Sequence, residues 1–104
     1  MPGNLALSGV SETIAVSCNS LPMLRMNVNG LPLPFFTRKL LELKQVDQIK
    51  EFINTVPLAI GQNLLIISQT DIFNVEISKN GAKWLSPQRK NFYYHTNFPI
   101  NNTD

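Results

Sequence analysis

The sequence predicts an α+β fold in which helices pack on an antiparallel sheet. Three observations lead to this class: strand patterns occur at both ends of the chain, helical patterns occur between them, and the later strands are joined by a hairpin signal. The 104 residues are enough for one domain or part of one, and an apolar fraction of 43% provides a buried core.

The N-terminal region has the character of strands. A first strand is expected at residues 4–8, where Gly9 ends it, and a second at residues 12–18, which are rich in β-branched side chains. Alternate residues of a strand share a face. The second strand therefore has an apolar face made by Ile14, Val16 and Cys18. Asn19 belongs to the opposite face, which is small and polar.

A loop and two helices occupy the middle of the chain. Residues 20–34 contain three prolines and one glycine and are expected to form the loop. Residues 35–45 and 46–56 have apolar side chains at intervals of three and four, as amphipathic helices do. Asp47 suits the start of the second helix, and Pro57 ends it.

Strand patterns return in the second half. The continuous apolar run at residues 63–69 is typical of a strand covered on both faces, whereas residues 71–78 alternate between apolar and polar. Lys-Asn-Gly at residues 79–81 predicts a hairpin turn, because Asn-Gly accepts the positive φ of tight turns. Further strands are expected at residues 82–86 and 91–96.

Composition argues against several functions. The net charge of +2 comes from scattered residues, so no basic patch for nucleic acid is present. No apolar run is long enough to span a bilayer, and the first residues do not resemble a signal peptide, so a cytoplasmic location is the default expectation. With one cysteine, Cys18, and one histidine, His95, we expect no disulfide within the chain, no metal site and no cofactor.

Several segments, in this order, resemble a known family. Residues 8–21 (SGVSETIAVSCNSL) are similar to a segment of the cysteine-type N-terminal-nucleophile hydrolases that has a Gly-(Val/Met/Leu)-Asn-Glu-x-Gly-Leu-Ala-Val core and closes on Asn. The proline-rich loop, the helical pair and residues 60–78 follow in the family's order. Residues 93–99 (YYHTNFP) resemble the family's His-Thr-Asn at the end of a strand. The nearest branch is the acyl-coenzyme A:6-aminopenicillanic acid acyltransferase-like family; bile-salt hydrolases and penicillin V acylases are more distant.

The resemblance implies a four-layer αββα fold, of which residues 1–104 would be the central part. It also implies hydrolysis or acyl transfer at a non-peptide amide bond of a small-molecule substrate. In such enzymes an N-terminal Cys, freed by self-cleavage, is the nucleophile, and its own α-amine, with a pKa of about 8, is the base. Asparagine amides and backbone N–H groups then stabilise the tetrahedral oxyanion.

By this resemblance, Asn97 corresponds to the family's oxyanion asparagine, and Asn19 to a second asparagine near the substrate. The alternative for both is an ordinary role in a turn or at a strand end. Arg25 lies in the loop that would border a substrate pocket, where it binds a substrate carboxylate or is simply solvated. His95 is interpreted as structural, or as a hydrogen-bonding neighbour of the site, rather than as a catalytic base.

The chain departs from the family at the nucleophile, since no N-terminal Cys is present in it. Cys18 lies on the apolar face of a strand and lacks a free α-amine, so we interpret it as a small buried hydrophobe. Ser11 also stands where the family favours Asn. We expect a central fragment that is inactive alone and pairs through open sheet edges with another copy, or with the missing N-terminal and C-terminal parts of the fold. The alternative is a non-catalytic remnant or assembly module that keeps the fold.

Overall fold

The computed structural model of the protein describes residues 7–85, 97–100 and 102. Five strands form one antiparallel sheet in sequence order, and both helices lie between the second and third strands along the chain. The strands are β1 (Gly9–Val10), β2 (Ile14–Ser20), β3 (Gln62–Ser68), β4 (Ile72–Ser78) and β5 (Gly81–Leu85). The helices are α1 (Leu33–Glu42) and α2 (Val46–Thr55). The predicted α+β class is confirmed, and one helix layer on one sheet is consistent with half of an αββα arrangement.

The first strand differs from its prediction. Gly9 begins β1 instead of ending a strand, and residues 7–8 are bends; residues 4–6 lie outside the described part. Gly9 packs closely against α1, because a Cβ on Gly9 would lie 2.7 Å from Leu41 Cδ1. Glycine therefore lets the edge of the sheet approach the end of α1 closely. The β1–β2 turn is closed by Ser11, whose Oγ accepts the backbone N–H groups of Thr13 and Ile14, each at 3.1 Å.

The first helix also begins earlier than the sequence predicts. α1 starts at Leu33, so the end of the predicted loop is helical. Pro32 precedes the helix with a φ of −58°, and Pro34 lies in the first turn, where a missing N–H costs no helical hydrogen bond. α2 matches its prediction closely, with Asp47 in its first turn and its last residue two positions before Pro57. In the described part of the chain, neither helix is long and apolar enough to cross a membrane.

The core lies between the helices and one face of the sheet. The sheet contributes six side chains that are at most 3% exposed: Ile14, Val16, Leu64, Ile66, Val75 and Ile77. The helices contribute Phe36, Leu40, Ile49 and Ile53. The Phe36 ring is fully buried and lies 4.9 Å from the ring of Phe52, centroid to centroid, which joins α1 to α2. Burying each large apolar side chain stabilises the fold by about 1.5–3 kcal/mol.

The β4–β5 hairpin forms where predicted. Ser78 pairs with Gly81 across a two-residue turn, and Gly81 has a φ of +117°, which glycine adopts without strain. One expectation for β3 is wrong: its run is not covered on both faces throughout, because Ile67 is 44% exposed. Ile67 lies away from the helices, on the side of the sheet that the helix layer leaves open. The strand predicted at residues 91–96 lies outside the described part.

The contrast between two adjacent phenylalanines tests this core. We expect Phe36→Ala to lower the free energy of unfolding by about 3–5 kcal/mol, because it removes a fully buried ring between the helices. Phe35→Ala is the matched control, because Phe35 is 51% exposed, and its effect should stay within about 1 kcal/mol. Urea denaturation followed by circular dichroism measures both. Equal losses in the two variants would contradict the assignment of Phe36 to the core.

Candidate functional site

The face of the sheet opposite the helices has a row of polar side chains across its middle. The register pairs Asn19 of β2 with Asn63 of β3, and Asn63 with Glu76 of β4, so the three side chains are neighbours on one face. Lys83 of β5 is opposite Glu76 and ends the row. Asn63 is 1% exposed and Glu76 is fully buried, so the row requires hydrogen bonds to be stable.

The centre of the row is held by an amide pair. The Nδ2 of Asn63 donates a hydrogen bond to Oδ1 of Asn74, which lies in β4 two residues before Glu76 and on the same face. It donates another to the main-chain oxygen of Val75 at 3.2 Å. Asn74 is also 1% exposed. Because buried amides with fixed partners have little freedom to reorient, this pair gives the polar face a rigid base.

The C-terminal segment (residues 97–100 and 102) lies over this row. Its main chain is bound by the carboxylate of Glu76: Oε2 accepts the N–H of Ile100 at 2.6 Å, and Oε1 accepts the N–H of Asn102 at 3.0 Å. Hydrogen bonds to an ionised acceptor are stronger than those between neutral groups. Both carboxylate oxygens of Glu76 therefore anchor the segment to β4.

Asn97 lies at the other end of the same segment. Its Nδ2 donates to the main-chain oxygen of Ser20, the last residue of β2, at 2.9 Å. Ser20 directly follows Asn19, so the structure brings the Asn97 amide to the strand end that carries the other predicted asparagine. An amide nitrogen has two N–H groups, and Asn97 is exposed, so its second N–H can be directed to a ligand. The catalytic roles of Asn97 and Asn19 stay predictions.

An apolar cavity opens beside this strand end. Its volume is about 250 Å³, and its lining residues are Ser20, Pro22, Leu24, Met26, Ile60 and Gly61. Ser20 connects the cavity to the Asn97 amide, since it lines the first and binds the second. The side chain of Met26, which is 64% exposed, borders the opening. The arrangement has a hydrogen-bond donor and an apolar surface next to each other.

The other predicted site residues are not brought to this point. Arg25 is exposed, and its main-chain oxygen accepts the N–H of Lys79 at 3.0 Å, which ties its loop to the β4–β5 turn; Arg25 does not line the cavity. A role for Arg25 in binding a carboxylate stays a prediction. His95 lies outside the described residues. Among the residues that the structure describes, no three His, Cys, Asp or Glu side chains are grouped so that they could hold a metal ion.

Cys18 has a structural environment. It is half-buried on the face of β2 that packs towards the helices. Its Sγ donates to the main-chain oxygen of Leu7 at 3.4 Å and lies 3.7 Å from the hydroxyl of Ser8. Cys18 and Asn19 are successive residues of one strand, so their side chains point to opposite faces of the sheet. The thiol is therefore separated from the polar row.

The sequence does not single out Asn63 or Glu76 as part of this site. Glu76 belongs to the alternating pattern of β4, and Asn63 follows another polar residue, Gln62, at the start of β3. A buried strand accepts such a residue only where a partner satisfies it, and the partners here are the Asn74 amide and the C-terminal segment.

Comparison with known proteins agrees with the resemblance that the motifs indicate. The chain matches the family model described as acyl-coenzyme A:6-aminopenicillanic acid acyl-transferase over residues 11–103. The comparison with curated proteins and the comparison with solved structures found no match. The matched range contains all of β2 to β5, both helices and the C-terminal segment through Asn102. The chain therefore belongs to the acyl-coenzyme A:6-aminopenicillanic acid acyl-transferase family.

Proposed function

We propose that this chain supplies oxyanion donors to an enzyme that transfers or hydrolyses acyl groups at non-peptide amide bonds. The observation that carries the proposal is the hydrogen bond from Asn97 to Ser20, which holds one candidate amide donor beside the strand end that carries Asn19. Amide side chains near one end of a rigid strand suit a tetrahedral intermediate, whose negative oxygen needs fixed, neutral donors.

The nucleophile in this proposal is an N-terminal Cys outside the 104 residues. Its thiolate attacks the acyl carbon, and the carbonyl electrons move to the oxygen that the asparagine amides stabilise. Collapse of this intermediate expels the amine or thiol leaving group, which takes its proton from the α-ammonium group. Water or an acceptor amine then attacks the thioester in the second half-reaction and regenerates the free thiol.

The environment of Cys18 supports a nucleophile from elsewhere. Its thiol faces the helix side of the sheet and is bound to Leu7, and as an interior residue it has no free α-amine to act as base. Asn19, by contrast, is on the opposite face. A thiol that attacks an acyl group between Asn19 and Asn97 must reach the polar face, which Cys18 does not.

The cavity beside Ser20 supports an apolar acyl group. Its walls include Pro22, Leu24 and Ile60, and its volume of about 250 Å³ is enough for a short chain or a single ring. An acyl chain bound there would lie beside Ser20, whose main-chain oxygen binds the Asn97 amide. The family name specifies an acyl-coenzyme A donor and a 6-aminopenicillanic acid acceptor, and these are the first substrates to test.

The structural position of Cys18 is also consistent with an alternative, in which the chain is a non-catalytic module that keeps the fold. The chain has one cysteine, and that cysteine is in a structural position. Intact mass spectrometry of the natural protein distinguishes the two. A precursor or companion chain with an N-terminal Cys supports the enzyme, whereas a natural protein without one supports the module.

Asn97→Ala tests the oxyanion assignment in the natural protein. We expect kcat for acyl transfer from an acyl-coenzyme A to 6-aminopenicillanic acid to fall by about 10²–10³-fold, because one transition-state donor is lost. KM should change by less than about threefold, because the donor acts on the developing oxyanion rather than on the bound substrate. The release of free coenzyme A thiol measures the rate.

Asn29→Ala is the matched control for this experiment. Asn29 is an exposed asparagine in the loop between β2 and α1, and its replacement should leave kcat within about twofold of the natural value. If Asn97→Ala behaves like Asn29→Ala in an active enzyme, Asn97 is not an oxyanion donor.

Cys18→Ser tests the location of the nucleophile. We expect activity within about twofold of the natural protein, since the thiol lies on the helix side of the sheet and a hydroxyl can keep the bond to Leu7. Loss of all turnover, with the fold intact by circular dichroism, would instead identify Cys18 as the nucleophile.

A further inference from the structure

We propose that Glu76 is a positioning residue for Asn97: its carboxylate fixes the C-terminal segment across the sheet and so holds the Asn97 amide at the end of β2. The inference rests on the proposed function, because it assigns a role to a residue that acts through the oxyanion donor. Glu76 itself is fully buried, so it acts on the segment rather than on a substrate.

The chemistry of the contact favours a carboxylate at position 76. Glu76 directs its two carboxylate oxygens to two different main-chain N–H groups, those of Ile100 and Asn102, at 2.6 and 3.0 Å. An ionised carboxylate only accepts hydrogen bonds, so both of its oxygens suit this task. A glutamine in the same place has one acceptor oxygen, and its NH₂ group would face a second donor. The site is therefore built for a carboxylate.

Only a short length of chain separates the two anchors. Asn97 is bound to Ser20 at β2 and Ile100 to Glu76 at β4, two strands apart. Two strand spacings amount to about 9.5 Å. The three residue steps from Asn97 to Ile100 span at most about 11 Å when fully extended. Both anchors also include a side chain, which adds reach, so this short piece of chain bridges the two strands without full extension. Because only three residue steps separate the anchors, releasing the one on β4 allows the segment to move and the Asn97 amide to leave its position.

The polar face beside Glu76 is rigid. Its neighbour in the row is Asn63, which is fixed by hydrogen bonds to Asn74 and to the main chain of β4. The part of the polar face beside the carboxylate is therefore fixed. The C-terminal segment takes its position from the sheet.

The experiment compares Glu76→Ala and Glu76→Gln in the natural protein, with Glu51→Ala as the control. Glu51 is an exposed carboxylate on α2, away from the polar face. Hydrogen exchange measures the protection of the Ile100 and Asn102 amides, and NMR measures the side-chain amide signals of Asn97. We expect Glu76→Ala to raise exchange at both amides by at least about tenfold, Glu76→Gln to have an intermediate effect, and Glu51→Ala to have none.

The kinetic part is a double-mutant cycle with Asn97→Ala. A positioning residue acts only through the group that it positions. Glu76→Ala should therefore lower kcat by about tenfold or more when Asn97 is present, with little change in KM, and should have no further effect in the Asn97→Ala background. Glu76→Gln should recover part of the loss, and it also serves the test if Glu76→Ala does not fold.

The outcomes distinguish a failure of the Glu76 inference from a failure of the proposed function. An equal loss of kcat in both backgrounds would show that Glu76 acts independently of Asn97 and would overturn the inference. Increased exchange with kcat and the Asn97 signals unchanged would also overturn it, while leaving the proposed function intact. If Asn97→Ala alone has no effect on an active enzyme, the proposed function fails first, and the positioning role of Glu76 fails with it.

Discussion

The structure depends on the hydrogen bonding of a carboxylate that the sheet buries on its polar face. Glu76 is removed from water completely, and an unpaired buried charge costs several kcal/mol even after relaxation. Hydrogen-bond donors at fixed places satisfy it, and the C-terminal segment supplies two of them. The position of that segment, and of Asn97 at its beginning, follows from this requirement.

The two faces of the sheet thus contribute in different ways. The helix side buries a continuous set of aliphatic side chains and the Phe36 ring, and this burial provides most of the stability without demanding one exact geometry. The polar side contributes less net free energy, because each hydrogen bond replaces one with water and gains only about 0.5–1.5 kcal/mol. Its value is directional: a donor and an acceptor meet at one distance and angle. The apolar face therefore stabilises the sheet, and the polar face specifies where the segment above it lies.

Local signals in the sequence predicted much of the fold. The period of the apolar residues indicated both helices, and Asn80-Gly81 indicated the hairpin, because these features depend on neighbours in the chain. The errors occurred at residues that usually interrupt regular structure. Gly9 lies in a strand and packs closely against Leu41, and Pro32 and Pro34 favour a helix start although prolines in general suggest a loop.

The site was predictable only in part, because its contacts join residues that are far apart in the sequence. The family motifs indicated Asn19 and Asn97, and the structure brings Asn97 next to Ser20. Glu76 looked like the solvent face of an alternating strand, because alternation does not show whether the polar face is open or covered. What covers it is a segment 24 residues away in sequence, and no local pattern in β4 indicates that contact.

An oxyanion donor is effective when it is already in place before charge develops, because then no reorganisation opposes the reaction. A side chain on a free loop would not meet this condition. Asn97 is close to meeting it, since its amide is bound to the end of β2 and its main chain is anchored three residues later to β4. Both anchors belong to one antiparallel sheet whose strands β2, β3 and β4 pair in continuous register. The rigidity of the sheet is thereby passed to a segment whose described residues have no regular secondary structure, and this is how an irregular segment can hold a side-chain amide with the precision of a strand.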